Sequence, residues 1–472
     1  MRLVRTGSIV TLLSGVNAVV SFVGIVLLTR LIPPEDLGKF FLFQATLGIL
    51  SIPTAAGING AVEKRISEGS DGRRTLGAAI SLKILILTVV GVGVLLLGKY
   101  VNSYVGMAVA PILVIGLAFQ EASRLGFRTL RGEKRVSIAS ILQSARIIIW
   151  ISGAVGAALL GFGVKGLIYA FLGSYLLMAV VCAGLQETGI ARFAVEHLCS
   201  IVSYAKHNAV TSVGGGIYGW MDTAVLGIFI GPSLVAAYEV AWRLSKVGLI
   251  VSRSASITTF PQISEWAEQG LHEKISSTVS ESFVPALLIV VPAFVGILLL
   301  ASDILSVLYG PEYAVAAAAF TVLAAERVIK ATNQIISRCL HAINRPDLSA
   351  RATVVAILLN LVLNWVLIQN FGIIGAALAT STSFAVKLLI EYAYLTQLIS
   401  FHFPARALVN ISISALAMAA VLLAVEPIIQ IGQAKSLVLL IVLGAVSYFS
   451  FLMISKSMRQ RAAVVIDQLN PS

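Results

Sequence analysis

Long runs of apolar residues follow one another along almost the whole chain, separated by short polar segments rich in Pro, Gly, Lys and Arg. The hydrocarbon core of a bilayer is about 30 Å thick, and about 20 residues of α-helix cross it. Most of the runs reach this length. The pattern predicts fourteen transmembrane helices, at 8–30, 39–61, 76–98, 106–123, 136–160, 164–185, 207–230, 234–252, 283–301, 314–337, 352–369, 373–396, 407–425 and 436–455.

The spans are predicted to be helices because backbone polar groups in lipid must be satisfied within their own segment. The alternation of apolar and polar residues that marks transmembrane strands is absent. Composition agrees, since only 12% of the residues are charged, about half the share in soluble domains. The first apolar run is too long for a signal peptide and is predicted to be retained. The predicted fold class is an all-α integral membrane protein with about 14 transmembrane helices.

Lys and Arg are concentrated in the segments that share a side with the N terminus, as in 64–74 and 124–135. Cytoplasmic loops of membrane proteins carry such an excess. We therefore expect a multi-pass protein of the cell (plasma) membrane with both termini in the cytoplasm. The same distribution accounts for the net charge of +12, so no nucleic-acid partner is expected.

Two short stretches recur at a nearly constant distance along the chain. "LTRLIPPEDLGKF" (28–40) aligns without a gap with "LGIFIGPSLVAAY" (226–238), 198 positions later. "GFGVKG" (161–166) aligns with "NFGIIG" (370–375), 209 positions later. Both pairs link equivalent spans in the same order, which indicates an internal repeat.

The repeat predicts two six-helix lobes, residues 1–200 and 201–400. An even number of spans gives both copies the same orientation, and such parallel repeats are typical of transporters with a site between the two halves. Residues 401–472 lie outside the repeat and are predicted to form helices 13 and 14 and a cytoplasmic tail. We expect a monomer.

Ionisable residues inside the predicted spans are the main candidates for function, because they are costly in a membrane. Seven cations lie inside the spans, and four anions, Asp222, Glu239, Glu326 and Glu391, are placed at similar depth. Three pairs have i,i+4 spacing, which places both members on one helix face. These possible paired charges involve Glu239 with Arg243, Glu326 with Lys330, and Lys387 with Glu391. Mutual neutralisation inside a bundle is an equally good explanation of these pairs.

The remaining intramembrane charges are Lys83, Arg146, Asp222, Lys246 and Arg327, which have no partner at helical spacing. If the surplus cations share one cavity, the cavity attracts an anion, because the electric fields of several cations add up inside a cleft of low dielectric. Arginine would suit a phosphate through its bidentate fork. Lys83 and Lys246 lie nearer the cytoplasmic ends of their spans, where they can instead extend to the headgroups.

Several motifs together resemble one family. They are "LLTRLIPPEDLGKF" (27–40), Asp222 with "VLGIFIGPSLVAAYEVAWRL" (225–244), "FPQIS" (260–264), "VPAFVG" (291–296), "LYGPEYAVA" (308–316) and "NFGIIGAALAT" (370–380). In their order along the chain they resemble the polysaccharide-lipid flippases, or oligosaccharide translocases, of the multidrug/oligosaccharidyl-lipid/polysaccharide exporter superfamily. The resemblance carries cavity residues over to Arg30, Asp222 and Arg243. Lys83, Arg146 and Arg327 rest on the charge argument alone.

The resemblance implies a V-shaped pair of six-helix lobes and a lipid-linked oligosaccharide as cargo, on a polyprenyl- or dolichyl-phosphate or pyrophosphate. The cargo would move from the cytoplasmic to the outer leaflet for cell-surface polysaccharide or protein-glycan (N-glycosylation) biosynthesis. Membrane lipids and enzymes of glycan assembly or transfer are the further partners to expect. No cofactor is expected, although Asp222 and the paired glutamates leave coupling to H⁺ or Na⁺ open.

A small-molecule or drug antiporter of the same superfamily is the alternative, and its site should be dominated by carboxylates. A membrane glycosyltransferase would need a catalytic base or an acidic metal-binding pair in a sizeable outer loop. The predicted outer loops are short, and the five histidines and three cysteines have no metal-ligand spacing. We therefore expect neither catalysis nor a metal site.

Overall fold

The computed structural model describes residues 2–55, 57–69, 71–192, 195–249, 263–267, 269, 271–429 and 434–461. All regular secondary structure in these ranges is helical, which confirms the all-α prediction. The α-helices are α1 (Arg2–Leu31), α2 (Pro34–Ala55), α3 (Ile58–Ser67), α4 (Gly72–Leu96), α5 (Gly98–Val105), α6 (Ala110–Gly132), α7 (Val136–Leu159), α8 (Gly163–Leu185), α9 (Val195–Phe229), α10 (Pro232–Ser245), α11 (His272–Leu287), α12 (Val290–Tyr309), α13 (Ala317–Ala342), α14 (Pro346–Leu398), α15 (Ala405–Val425) and α16 (Ala434–Leu452). Short 3₁₀ turns occupy Lys246–Gly248 and Pro311–Ala316.

Nine helical segments in the described part of the chain are long and apolar enough to cross a membrane. The bent pair α5 and α6, whose axes differ by 88°, raises the number to ten if it forms one span. The protein is therefore a multi-pass membrane protein, as predicted.

Helix α14 runs for 53 residues and covers both predicted spans 352–369 and 373–396. Its helical geometry is interrupted at Gly372, where φ is 56° and ψ is −131°. Only glycine adopts such a backbone conformation readily. The two predicted spans are thus joined by a one-residue break.

The prediction of one helix over 39–61 is wrong in its bounds. Helix α2 begins earlier, at Pro34, and ends at Ala55, and α3 follows after Gly57. Proline suits the first turn of a helix because its missing N–H is not needed there. Pro53 lies inside α2 close to its end, and Gly57 has a φ of 81°. These two residues explain a break that the apolar pattern alone does not reveal.

Two turns of the predicted repeat have the same local geometry. Gly163 and Gly372, which the sequence alignment pairs, have φ angles of 54° and 56°. Lys134 and Asn344, 210 positions apart, are the non-glycine residues with positive φ in the described ranges. In both turns the next residue, Arg135 or Arg345, donates its backbone N–H to a carbonyl five residues earlier, at 2.9 and 2.8 Å.

The chain divides into two compact units, Met1–Ala236 and Ala237–Ser472. The boundary lies within α10, whereas the predicted boundary between residues 200 and 201 lies within α9. The first unit has an aromatic core in which the ring of Phe40 stacks on Trp150 and meets Phe171 edge-on. In the second unit α15 and α16 pack against α12. Residues 462–472 of the predicted tail lie outside the described ranges.

Candidate functional site

Six charged residues of the second unit lie on α10, the 3₁₀ turn that follows it, and α13. We call them the C-terminal charge cluster: Glu239, Arg243, Lys246, Glu326, Arg327 and Lys330. The side chains of Glu239, Glu326 and Arg327 are buried, with relative exposures of 1%, 0% and 2%. Charges this deeply buried are stable only when they are paired and hydrogen-bonded.

The pairing within the cluster follows helical spacing and one long-range contact. Arg243 Nε lies 2.9 Å from Glu239 Oε2, one turn earlier on α10. On α13, Arg327 Nη1 lies 2.8 Å from Glu326 Oε2, and its Nε donates to Ser245 Oγ at 3.0 Å. The hydroxyl of Ser245 thereby connects the end of α10 to the middle of α13.

The two lysines of the cluster also lie against aromatic rings. Lys246 Nζ lies over the ring of Trp242, 2.8 Å from its centroid. Lys330 Nζ is 3.9 Å from Glu326 Oε1 and 4.5 Å from the ring centroid of Phe384. The cluster thus contains four cations and two carboxylates. Its positive surplus in a mostly buried setting can attract and orient an anion.

The third predicted pair, Lys387 and Glu391, lies elsewhere on α14, with Nζ and Oε1 3.7 Å apart. Neutral donors contribute most of the contacts to this fully buried carboxylate. Ser337 and Asn333 donate to Oε2 at 2.5 and 2.7 Å, and Ser349 donates to Oε1 at 2.6 Å. Lys387 is therefore one of four groups that stabilise Glu391.

Lys83 is not the unpartnered cation that the sequence predicts. Its Nζ lies 2.6 Å from Glu121 Oε2, and both side chains are buried. It also donates to the backbone carbonyl of Thr54 at 2.9 Å, next to the break between α2 and α3. Glu121 Oε1 accepts a second bond from Arg124 Nη1 at 3.0 Å. Glu121 lies outside the set of buried charges predicted from the sequence, so the expected cationic surplus is smaller by one.

Arg146 lies on α7 with its guanidinium over the ring of Tyr175, 4.4 Å from the centroid. Gln120 Nε2 donates to the hydroxyl of the same tyrosine at 3.3 Å. Among the described residues, Arg146 Nη1 is buried without a hydrogen bond. Gln120 and Glu121 are consecutive on α6, so this helix contributes one residue to the surroundings of Arg146 and one to those of Lys83.

The two other candidates in the first unit lie on α1 and α9. Arg30 is in the last turn of α1 and its side chain is exposed. Asp222 lies on α9 and is 8% exposed. The structure thus brings Arg243 and Arg327 into one cluster within the second unit, and places Lys83 and Arg146 in two separate networks of the first.

Sequence reasoning missed several polar residues that complete these networks. Glu121 falls inside the predicted span 106–123 and is recognisable as a buried acid on that ground alone. Asn333 and Ser337 were also missed. They continue the predicted pair of Glu326 and Lys330 at spacings of three and four, and the four residues form one polar face of α13. Within the described ranges, no group of three His, Cys, Asp or Glu side chains is placed to hold a metal ion.

The helical fold is similar to that of solved transporters of the multidrug/oligosaccharidyl-lipid/polysaccharide exporter superfamily. A solved structure of the lipid II flippase MurJ, in an inward closed conformation, superposes with a TM-score of 0.80 at 16% identity. That superposition covers 94% of this chain and 98% of MurJ, and it shows the likeness of the fold.

The family described as "Polysaccharide biosynthesis protein" matches residues 27–318, and this chain belongs to that family. It is 34% identical to the probable low-salt glycan biosynthesis flippase Agl15 of Haloferax volcanii, over 96% of both chains. It is 30% identical to the probable flippase AglR of the same organism, over 96% of this chain and 97% of that one. The prediction of a flippase of this superfamily is confirmed.

Proposed function

We propose that the protein moves a lipid-linked oligosaccharide from the cytoplasmic to the outer leaflet, for the biosynthesis of a cell-surface polysaccharide or a protein glycan. The carrier is a polyprenyl- or dolichyl-phosphate or pyrophosphate. The C-terminal charge cluster is the observation that carries the proposal, because its four cations and two carboxylates suit an anionic head group.

The need for such a site follows from the chemistry of the cargo. Each unsatisfied polar group of a sugar-phosphate head costs several kcal/mol in hydrocarbon. A hydrated cationic path removes most of that barrier while the polyprenyl chain stays in lipid. The drug antiporter alternative is less favoured, since its cationic cargo would be repelled by the surplus charge.

The proposed architecture has fourteen spans: two six-helix lobes in parallel repeat, then α15 and α16. The described helices support it, because they can be grouped into fourteen segments. These are α1, α2 with α3, α4, α6, α7, α8, α9, α10, α11 with α12, α13, the first half of α14, the second half of α14, α15 and α16. The matched turns at Gly163 and Gly372 support the repeat. We further propose a monomer in the plasma membrane with both termini in the cytoplasm.

In this proposal Arg243 and Arg327 bind the phosphate, and Arg30, Arg146 and Asp222 line the path of the head group. Lys83 contributes positive charge, although its ion pair with Glu121 gives it a structural part as well. Transport needs no cofactor, and the paired glutamates and Asp222 are the groups to test for H⁺ or Na⁺ coupling. Enzymes of glycan assembly or transfer are proposed as partners.

Deletion of the gene in its native host tests this function. We expect the lipid-linked oligosaccharide to accumulate in the cytoplasmic leaflet and the surface glycan to disappear, because the head cannot cross unaided. Mass spectrometry of extracted lipids, with a membrane-impermeant glycosidase to report the leaflet, measures both effects. Unchanged glycans together with altered drug resistance would contradict the proposal and favour the antiporter.

A further inference from the structure

The C-terminal half of α6 carries three arginines on one face. Arg124, Arg128 and Arg131 are separated by four and then three residues, so their side chains follow one another along the helix. They lead from the buried pair of Lys83 and Glu121 to the end of α6 at Gly132. We call Arg124, Arg128 and Arg131 the arginine ladder.

Arg124 is held by acceptors on only part of its guanidinium. Its Nη1 donates to Glu121 Oε1 and to Ser51 Oγ, both at 3.0 Å. The side chain nevertheless remains 35% exposed. Two acceptors thus fix the orientation of the group while part of it stays accessible.

Arg128 and Arg131 are held in the same way by residues of neighbouring helices. Arg128 Nη1 contacts Glu63 of α3 at 2.5 Å, with side-chain exposures of 42% and 33%. Arg131 Nη2 donates to Gln143 of α7 at 2.9 Å. Because Gln143 is neutral, it adds no negative charge.

The charges around the ladder do not cancel. Together with Lys83 it contributes four cations, and among the described residues the carboxylates in contact with them are Glu63 and Glu121. Glu121 is 1% exposed and already contacts two of the cations. The accessible part of the ladder is therefore net positive.

The second unit has a different set of residues at the corresponding positions. The turn residues Lys134 and Asn344 align the two units at an offset of 210. In this alignment, the positions of α13 that correspond to the three arginines are Gln334, Arg338 and His341. The full ladder is a property of the first unit, so the repeat alone does not account for it.

We propose that the arginine ladder binds the phosphoryl group of the lipid-linked substrate before transport. The proposal rests on the function proposed above and adds a loading site distinct from the C-terminal charge cluster. Arginines bind phosphoryl oxygens through paired N–H groups, and neighbours at i,i+4 are spaced about one helical turn apart. Partial anchoring lowers the entropy lost when the anion binds. A phospholipid headgroup offers the same chemistry, so the test separates the two sources.

Binding of dolichyl phosphate to the purified full-length protein in neutral-lipid nanodiscs is the test, measured by native mass spectrometry. The variant Arg124→Gln/Arg128→Gln should lose at least about tenfold in affinity, since two charge-assisted contacts are removed. The matched control is Arg73→Gln/Arg74→Gln, which removes two exposed arginines of the same unit on α4. It should bind like the parent. Arg124→Lys/Arg128→Lys should recover part of the affinity, because charge returns without the bidentate fork.

Phosphatidylglycerol, titrated in the same way, identifies the source of the phosphoryl group. Weak, equal binding of this lipid by the parent and the Gln variant supports the proposal. If the Gln variant lost the same affinity for both lipids, the proposal would be overturned, since the ladder would then bind phospholipid headgroups in general. Unchanged dolichyl phosphate binding by the Gln variant would also overturn it. If the parent still flips lipid-linked oligosaccharide, that result leaves the proposed function standing.

Discussion

Buried charges in this protein differ in how many partners share their stabilisation. Lys83 and Arg124 are the cations that contact Glu121, and the Lys83 contact is the shorter and the more deeply buried. Glu391 receives three hydrogen bonds from neutral side chains in addition to its contact with Lys387. Loss of one lysine should therefore have unequal effects at the two sites.

We predict that Lys83→Met destabilises the protein by about 3–5 kcal/mol, because the buried Glu121 loses its buried partner and keeps its contact with the partly exposed Arg124. Lys83→Met/Glu121→Gln should regain most of that loss, because neither charge remains. Lys387→Met is the matched control and should cost less, since three donors still contact Glu391. Equilibrium unfolding in mixed detergent micelles measures these differences. Equal losses for Lys83→Met and Lys387→Met would contradict this explanation.

The sequence predicts pairs at helical spacing well, because partners four residues apart depend only on local structure. All three predicted pairs lie within ion-pair distance. The contact between Lys83 and Glu121 joins residues 38 positions apart and depends on the packing of α4 against α6. No spacing rule predicts such a pair. The substrate-binding roles of the candidate residues remain predictions.

At the scale of helices, glycines determine where elements break and how closely they pack. At Gly375, just after the break in α14, an added Cβ would lie 2.0 Å from the carbonyl oxygen of Leu367. The obstruction is backbone, which cannot move aside as a flexible side chain can. At Gly173, inside α8, an added Cβ would have no neighbour within 4 Å.

We predict that Gly375→Ala destabilises the protein by about 1–3 kcal/mol or prevents folding, as overpacking commonly does. Gly173→Ala should be neutral or slightly stabilising, because alanine is the better helix former by about 1 kcal/mol. Thermal unfolding of the two purified variants, with folded yield by size-exclusion chromatography, measures the contrast. A Gly375→Ala protein as stable as Gly173→Ala would mean that the two halves of α14 are not in close contact.

The positions of the helices are mostly predictable, because hydrophobic runs of span length specify them. In the described ranges there are sixteen α-helices where fourteen spans are predicted. The difference arises mainly from breaks, at Gly57 between α2 and α3 and at the 88° bend between α5 and α6. Such breaks depend on single glycines and prolines and on side-chain contacts across them. Lys83, which bonds to the carbonyl of Thr54 beside one break, illustrates why apolar periodicity cannot reveal them.

Over the whole molecule, cationic side chains are concentrated in a few places inside an apolar body. The C-terminal charge cluster and the arginine ladder belong to different units. In each of them, cationic side chains outnumber the carboxylates in contact with them. In low dielectric such surpluses act on an anion over longer distances than exposed charges do. In the proposals made above, the arginine ladder loads the substrate and the C-terminal charge cluster binds it during transport.

Transport by the purified protein in liposomes tests the central claim most directly. A fluorescent dolichyl-pyrophosphate oligosaccharide is placed in both leaflets, and an impermeant quencher reports how fast the inner pool reaches the outer leaflet. We expect the transport rate of parent liposomes to be clearly higher than that of protein-free liposomes. The rate of Glu239→Gln/Arg243→Gln should be lower than the parent's by at least about tenfold, since the variant removes the proposed phosphate contact of Arg243, worth roughly 1.5–3 kcal/mol. This variant removes both charges of the buried pair, so neither member is left buried without the other. Parent liposomes no faster than protein-free ones, or a variant as fast as the parent, would contradict the account.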